Sequence, residues 1–274
     1  MDGEEGNGGF ETRRRRRRRG RGRRRGLDLL PNLFTTGNLF FGWYTIVQAT
    51  LGDPWHAALG IVLAMVFDIL DGRVARLARA TSKFGGEYDS LSDIVSFGVA
   101  PAMLAFAAGD LRELGRAGWV LAFLYTVCAA LRLARFNVAP SRYKGRFEGL
   151  PSPAAAAMVA SSTWFAQFLQ ERFGAVWFPA SGIALGIAAL GILMVSRIPY
   201  RSFKQIDLRH SFGTLVVLAV VLPLLAIEPS LTLFLVVLAY VLSGPYEAIW
   251  RWRTGARLEE VEMPAVEVRT GEAI

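Results

Sequence analysis

Four aspartates lie in one short stretch of the chain, and their spacing is typical of a metal site. They are Asp68, Asp71, Asp89 and Asp93, so the first pair is spaced i,i+3 and the second i,i+4. On helices, each pair shares one face. Two such faces turned toward each other bring carboxylates to roughly 4 Å, where each pair repels by about 4 kcal/mol at an effective dielectric of 20. The cluster therefore needs cations, and its hard oxygen ligands suit Mg²⁺, Mn²⁺ or Ca²⁺.

The acidic stretch is embedded between two long apolar runs. A charge at the centre of a bilayer helix costs about 3 kcal/mol, so packing does not explain the acids. Gly72 and Ala75 fall near the stripe of Asp68 and Asp71, where small residues leave room for a ligand or for a close helix neighbour. We expect Gly85-Gly86 to break the chain and let the following helix fold back toward the first acidic pair.

This arrangement favours phosphate chemistry. Two divalent cations among four carboxylates can clamp phosphate oxygens in a displacement reaction. Arg76 could add charge-assisted bonds to a phosphate. Because the acids lie at the boundary between lipid and water, a substrate with a lipid part and a polyphosphate part is the natural expectation.

Composition predicts an all-α integral membrane protein that positions these acids. The chain has 274 residues, 53% of them hydrophobic, with a mean hydropathy of +0.33. Eight apolar segments are each near the ~20 residues that cross the hydrocarbon. Glu228-Pro229 alone joins the last two, which predicts a tight antiparallel hairpin. The eight segments are about 33–51, 55–75, 88–108, 117–136, 152–170, 177–196, 210–227 and 230–250.

Loop charges predict the orientation of the chain. The N-terminal tail and the loops after the second, fourth and sixth segments are basic, and the alternate loops are short and poor in positive charge. The positive-inside rule then puts both termini and the acidic stretch on the cytoplasmic side, as expected for a multi-pass protein of the cell (inner) membrane. An even number of segments agrees with this.

The two ends of the chain are predicted to be flexible tails around a membrane domain of residues 27–250. Residues 1–26 hold eleven arginines and almost no apolar residue, so we expect a disordered tail that contacts anionic lipid headgroups. Nucleic-acid binding is an alternative, but no aromatic residue interleaves the arginines, and no specific nucleic acid is expected. Residues 251–274 are polar and of mixed charge. The single cysteine, Cys128, excludes an intrachain disulfide.

The acidic stretch resembles the signature of the CDP-alcohol phosphotransferases. From Asp68 through Asp93 the chain reads Asp-x2-Asp-Gly-x2-Ala-Arg-x8-Gly-x3-Asp-x3-Asp, which matches every fixed position of that signature. In this family of integral membrane enzymes, an acceptor hydroxyl attacks the phosphoryl group of a CDP-linked lipid or alcohol and CMP leaves. The resemblance implies two Mg²⁺ or Mn²⁺ ions held by the four aspartates, with Asp93 as the general base close to the metals. It implies a CDP-lipid pocket shaped by Gly72, Ala75, Arg76 and Gly85.

Flanking segments resemble one branch of that family, the membrane-embedded phosphatidylserine synthases. The resemblance covers residues 27–204, with segments at 31–39, 81–98, 131–138, 149–153 and 200–204. It implies CDP-diacylglycerol and L-serine as substrates, a homodimer, and a six-helix core with two added helices. It also adds Asn32 and Thr35 to the CDP-lipid pocket.

Four residues are candidates for an acceptor pocket: Arg132, Arg135, Asn137 and Lys204. Serine carries a carboxylate, which needs a cation or strong donors. Arg132 lies a full turn inside an apolar segment, where an unpaired charge is costly. The alternative for these basic residues is that they are positive-inside or snorkelling side chains of ordinary helix ends.

Three rival functions remain open from the sequence. The same chemistry could use glycerol 3-phosphate or an inositol phosphate, because basic residues hold a phosphate as well as a carboxylate. A transporter that handles cations is less favoured, because the acids lie at one rim and the later segments carry none that would continue a path. The arginine tail could instead be an RNA-binding or lipid-tethering module on an inert anchor.

Overall fold

Helices form nearly all of the chain that the computed structural model describes, namely residues 31–78, 82–108, 111–138, 146–174, 179–201 and 222–255. The α-helices are α1 (31–51), α2 (Pro54–Ala78), α3 (Lys83–Asp93), α4 (Ala100–Ala108), α5 (Arg116–Val138), α6 (Ser152–Phe173), α7 (Ala180–Val195), α8 (222–227) and α9 (Pro229–Thr254). A π-helical turn, Ile94–Val99, joins α3 to α4, and a 3₁₀ turn, Leu111–Leu114, precedes α5.

The helices agree with an all-helical membrane protein. Within the described ranges, three are long and apolar enough to cross a membrane: Lys83–Ala107, Arg116–Val138 and Pro229–Thr254. Ala180–Val195 is apolar but shorter. Each predicted segment falls on a helix, except that most of the seventh, 210–227, lies outside the described residues.

Local sequence explains where α2 begins. The Asp53 carboxylate accepts a hydrogen bond from the backbone N–H of His56 at 3.0 Å, and Pro54 occupies the first helical position. Both residue types are favoured there, because the cap satisfies an unpaired N–H and proline has none to lose. The backbone N–H and then the ring of His56 hold the pKa of Asp53 below its usual value.

The core lies where small residues let helices approach closely. Alanines of α2, α4 and α6 are fully buried, together with the larger side chains of Ile61, Phe97 and Tyr125. On α1, a Cβ added at Gly37 would meet the Phe67 ring at 2.3 Å. This glycine therefore lets α1 lie directly against α2, which carries the first acidic pair.

The glycine pair does not break the chain, and that prediction is wrong. Gly85 and Gly86 lie inside α3, which begins at Lys83 after the N-cap Ser82. Ser82 Oγ accepts a hydrogen bond from Gly85 N at 2.9 Å. A Cβ at Gly85 would meet Asn32 Oδ1 at 3.2 Å, so this glycine serves the close approach of α1 and α3. Tertiary packing overrides the weak helix propensity of glycine.

A small sheet also departs from the all-α prediction. Strands β1 (Arg146–Glu148) and β2 (Pro199–Arg201) pair antiparallel, with Phe147 opposite Tyr200. Each strand has three residues, too few to show the alternation that identifies a strand in a sequence. The sheet ties the segment before α6 to the segment after α7.

Helix α9 runs further than the predicted boundary between domain and tail. It continues through Thr254, whereas the sequence predicts a flexible tail from residue 251. The reason is an ion-pair cluster: Glu247 contacts Arg251 one turn on, Arg146 of β1 at 2.8 Å and Arg201 of β2 at 3.7 Å. Residues 256–274 and the arginine tail lie outside the described residues.

Candidate active site

Two helices bring three of the four aspartates together. Asp68 and Asp71 project from α2, Asp89 projects from α3, and their nearest carboxylate oxygens all lie within 4.8 Å of one another. Asp71 is 5% exposed, and the other two are half-buried. Three carboxylates this close repel strongly unless a cation lies among them.

The donor set of this acidic cluster fits a divalent ion. All three groups offer carboxylate oxygens, the ligands that Mg²⁺ and Mn²⁺ prefer. Asp89 Oδ1 is buried and accepts no hydrogen bond from any group in the described residues. A buried anionic oxygen without a donor is costly, and a metal ion would satisfy it.

Helix α1 supports the cluster from a third side through Thr35. This side chain is 3% exposed, and its hydroxyl lies 3.2 Å from Asp71 Oδ2 and 3.2 Å from the carbonyl of Pro31. One hydroxyl proton serves one acceptor at a time. Donation to Asp71 fixes the direction of that carboxylate, as partners of metal ligands commonly do.

The fourth aspartate, Asp93, is set apart. It lies one turn beyond Asp89 on α3 and is not among the three acids within 4.8 Å. Its Oδ1 accepts a hydrogen bond from Asn38 Nδ2 on α1 at 3.1 Å. The structure thus distinguishes one carboxylate held by an amide from three that lie close to one another.

The residues predicted for the CDP-lipid pocket fall around the cluster. Asn32 approaches Gly85 across the α1–α3 contact. The Arg76 guanidinium lies back along α2, 3.5 Å from where a Cβ of Gly72 would be, and its side chain is exposed. Ala75 lies beside it and is half-buried. These positions line the end of α2 that carries the acids.

Several residues near the acids were not predicted from the sequence. The hydroxyls of Thr36 and Tyr88 lie 3.0 Å apart, and the Tyr88 ring stacks on the exposed Phe84. Asn38 was also missed. Its position three residues after Thr35 places both on one face of α1, and that spacing could have revealed it.

Arg132 is the buried cation of the site. Its side chain is 8% exposed, and Nη1 donates to Ser152 Oγ at 2.9 Å. Its Nε is buried without a hydrogen-bond acceptor among the residues that the structure covers. Asp93 and Tyr240 lie within electrostatic range of the guanidinium. A buried cation within electrostatic range of Asp93 and with an unused donor is suited to bind an anionic group.

Arg135 plays a different part, although it lies one turn along α5 from Arg132. Its guanidinium donates to the carbonyls of Glu148, Met194, Val195 and Ser196 at 2.8 to 3.3 Å. These contacts close the end of α7 and hold the loop before α6. The structure therefore gives Arg135 a stabilising role.

Asn137 is the other acceptor candidate that the structure describes, and it contacts α3. Asn137 Nδ2 donates to Ser90 Oγ on α3 at 2.9 Å. That contact joins α5 to the helix that carries Asp89. Lys204 lies outside the described residues.

Comparisons with known proteins point to one family. A model of the CDP-alcohol phosphatidyltransferase family matches residues 28–195, which include all four aspartates. The chain is 36% identical over 228 residues to a CDP-diacylglycerol–serine O-phosphatidyltransferase of Helicobacter pylori, covering 82% of this chain and 92% of that relative. Relatives of the same name include one from Mycobacterium leprae, 33% identical over 80% of this chain and 74% of its own length. Another, from Bacillus subtilis, is 34% identical over 65% of this chain and 93% of its own length.

Proposed function

The chain belongs to the CDP-alcohol phosphatidyltransferase family, and on that premise we propose that it transfers the phosphatidyl group of CDP-diacylglycerol to L-serine. The products are phosphatidylserine and CMP. The observation that carries this proposal is the three-acid cluster with Asp93 beside it, in a chain whose relatives are named for this reaction.

Three acids have the role of metal ligands in this proposal. Asp68, Asp71 and Asp89 hold divalent ions, Mg²⁺ or Mn²⁺, with Asp93 at the edge of the same site. Bound there, two such ions would neutralise the diphosphate and stabilise the leaving CMP. Thr35 keeps Asp71 turned toward the cluster.

Asp93 is the general base. The serine hydroxyl oxygen attacks the phosphorus that carries the diacylglycerol, and its proton passes to the Asp93 carboxylate. A new bond forms between this phosphorus and the serine oxygen. The bond from the same phosphorus to the oxygen of CMP breaks, and CMP leaves with that electron pair.

The proposal assigns a different set of residues to each substrate. Gly72, Ala75, Arg76 and Gly85, with Asn32 and Thr35 of α1, surround the CDP group. The Arg76 guanidinium forms charge-assisted hydrogen bonds with the phosphates. Gly72 and Gly85 allow the CDP group to approach the helix backbone closely.

On the acceptor side, Arg132 pairs with the serine carboxylate. Its buried location strengthens such a pair, and its link to Ser152 fixes the guanidinium. Asn137 and Lys204 complete the acceptor side. Arg135 stabilises the ends of α5 and α7 through the four carbonyls that it binds.

The proposed topology is a multi-pass protein of the cell membrane. Eight transmembrane helices, a family core of six plus two, leave both termini and the aspartates on the cytoplasmic side. The membrane domain spans residues 27–250. The arginine tail, residues 1–26, contacts anionic lipids, and two copies of the chain form a homodimer.

An acceptor panel tests this function. Purified protein with Mn²⁺ and CDP-diacylglycerol is given labelled L-serine, glycerol 3-phosphate or inositol phosphate, and the lipid product is identified by mass. We expect phosphatidylserine and equimolar CMP with serine, and no product after chelation of the metal. An Asp71→Asn variant prepared in parallel is the control for background activity. If only another acceptor gives a lipid product, the phosphatidyl-transfer reaction stands and serine is the wrong acceptor. If no CMP is released with any acceptor, the proposed transferase activity is wrong.

A further inference from the structure

Asn38 links the first helix to the residue proposed as the base. Its side chain is fully buried, and its Nδ2 donates to Asp93 Oδ1 at 3.1 Å. Its backbone carbonyl accepts a hydrogen bond from Ser96 Oγ at 3.0 Å. Asn38 thus contacts both Asp93 and the π-helical turn that begins at Ile94, directly after Asp93. Such turns within helices are frequent at functional sites.

Of the two polar atoms in the Asn38 side-chain amide, only Nδ2 has a hydrogen-bond partner among the described residues. Its Oδ1 is buried and has no hydrogen-bond partner among the residues described. An unpaired buried acceptor destabilises the fold, so an asparagine serving stability alone would be expected to have hydrogen-bond partners at both its oxygen and its nitrogen. The contact that this side chain does make is the one to Asp93.

The hydrogen bond from Asn38 decides which oxygen of the Asp93 carboxylate is available to accept a proton. A carboxylate that accepts from a fixed donor through Oδ1 can no longer rotate freely. Its Oδ2 is then the oxygen left to receive a proton. The amide is neutral, so it orients the base without adding a charge beside the acidic cluster.

We propose that Asn38 is a positioning residue, which holds Asp93 Oδ1 so that Oδ2 faces the hydroxyl of the acceptor. This rests on the proposed function, in which Asp93 is the base. Asn38 touches neither reacting atom, and it acts through the orientation of Asp93. The consequence is a defect in turnover, with binding of the CDP-lipid and of the metal preserved.

The test uses the full-length enzyme in mixed micelles with CDP-diacylglycerol, L-serine and Mn²⁺. Asn38→Leu removes both polar atoms and keeps the branching of the side chain, and Asn38→Ala removes them without adding bulk or charge. A hydrogen bond to a charged group corresponds to about a 10- to 100-fold fall in kcat for both variants. We expect the KM for CDP-diacylglycerol and the half-saturating Mn²⁺ concentration to stay within about twofold.

Thr45→Val is the matched control. Thr45 lies two turns along α1, is fully buried, and donates to the carbonyl of Ala57 at 3.0 Å, away from the acids. Loss of this hydrogen bond should lower the stability of the fold and leave kcat near that of the wild type. If Asn38→Leu does not fold on size exclusion, Asn38→Ala decides the outcome.

The proposal is overturned by wild-type kcat in a folded Asn38 variant, or by an equal loss of kcat in Thr45→Val. A parallel loss of CDP-lipid binding in the Asn38 variants would also overturn it, because it would indicate a general structural role. An Asp93→Asn variant in the same assay tests the proposed role of Asp93 separately from that of Asn38. If that variant turns over normally, the proposed base is wrong, whatever Asn38 does.

Discussion

The hydroxyl of Thr35 lies 3.2 Å from the carboxylate of Asp71, across 36 positions of the chain. Both side chains are buried, so this hydrogen bond is shielded from water. Three residues further along α1, Asn38 contacts Asp93 in the same manner. One face of α1 therefore supports Asp71 of α2 and Asp93 of α3.

Replacing Thr35 with valine should weaken metal binding. The variant keeps the shape of the side chain and loses the donor to Asp71. Partners of metal ligands affect metal affinity by about 10- to 100-fold, so the half-saturating Mn²⁺ concentration should rise by about that factor. Activity measured across a Mn²⁺ titration checks this. Thr36→Val on the same helix is the control, because in the described residues its hydroxyl contacts the carbonyl of Asn32 and the hydroxyl of Tyr88 and no carboxylate. An equal rise there would contradict the assignment.

Replacing Asp93 with asparagine should abolish turnover while CDP-diacylglycerol still binds. Loss of a general base lowers the rate by about 10²- to 10⁴-fold, and asparagine keeps the size of the side chain. Single-turnover kinetics and equilibrium binding of the CDP-lipid measure the two effects separately. Equal loss of binding would instead indicate that Asp93 mainly holds metal.

Substitutions of Arg132 and Arg135, which are neighbours on α5, should have different effects. Arg132→Gln removes the buried cation proposed to bind the serine carboxylate, and the KM for serine should rise by about 10- to 100-fold at an unchanged KM for CDP-diacylglycerol. Arg135→Gln removes the donor to four carbonyls, so it should lower the apparent Tm and leave the KM for serine unchanged. Steady-state kinetics and thermal unfolding of both variants check this, and a matching rise in KM for Arg135→Gln would contradict it.

Adding a methyl group at Gly42 should disturb the contact between α1 and the π-helical turn. A Cβ there would lie 2.4 Å from Ser96 Oγ and 2.8 Å from Ser96 Cα, which is backbone and cannot swing aside. Overpacking of this kind costs about 1–3 kcal/mol, so Gly42→Ala should lower the apparent Tm.

The same change at Gly186 is the control for Gly42→Ala. A Cβ at Gly186, inside α7, meets nothing within 4 Å. Alanine there should be neutral or stabilise by about 0.5–1 kcal/mol, because glycine weakens a helix interior. Equal melting shifts in the two variants would show that close packing at Gly42 is unimportant.

Much of the helical fold could be predicted from the sequence, because hydropathy and segment length are local properties. The predicted segments fall on helices wherever the structure describes them. The errors came where packing overrides local preference. Gly85-Gly86 was expected to end a helix, yet it lies within α3 because the missing side chains let α3 approach α1. The strands β1 and β2 were too short to show a period.

The sequence by itself determined which acids share one face of a helix, because the i,i+3 and i,i+4 spacings hold whatever surrounds them. The packing of α2 against α3 groups Asp68, Asp71 and Asp89 and leaves Asp93 apart. Only the tertiary structure decided which side chains support each acid, and which arginine is buried beside Asp93 and which binds carbonyls. The physical reason is that contacts across 36 and 55 positions depend on how helices cross and on their axial offset. Side-chain spacing within one helix carries no information on either.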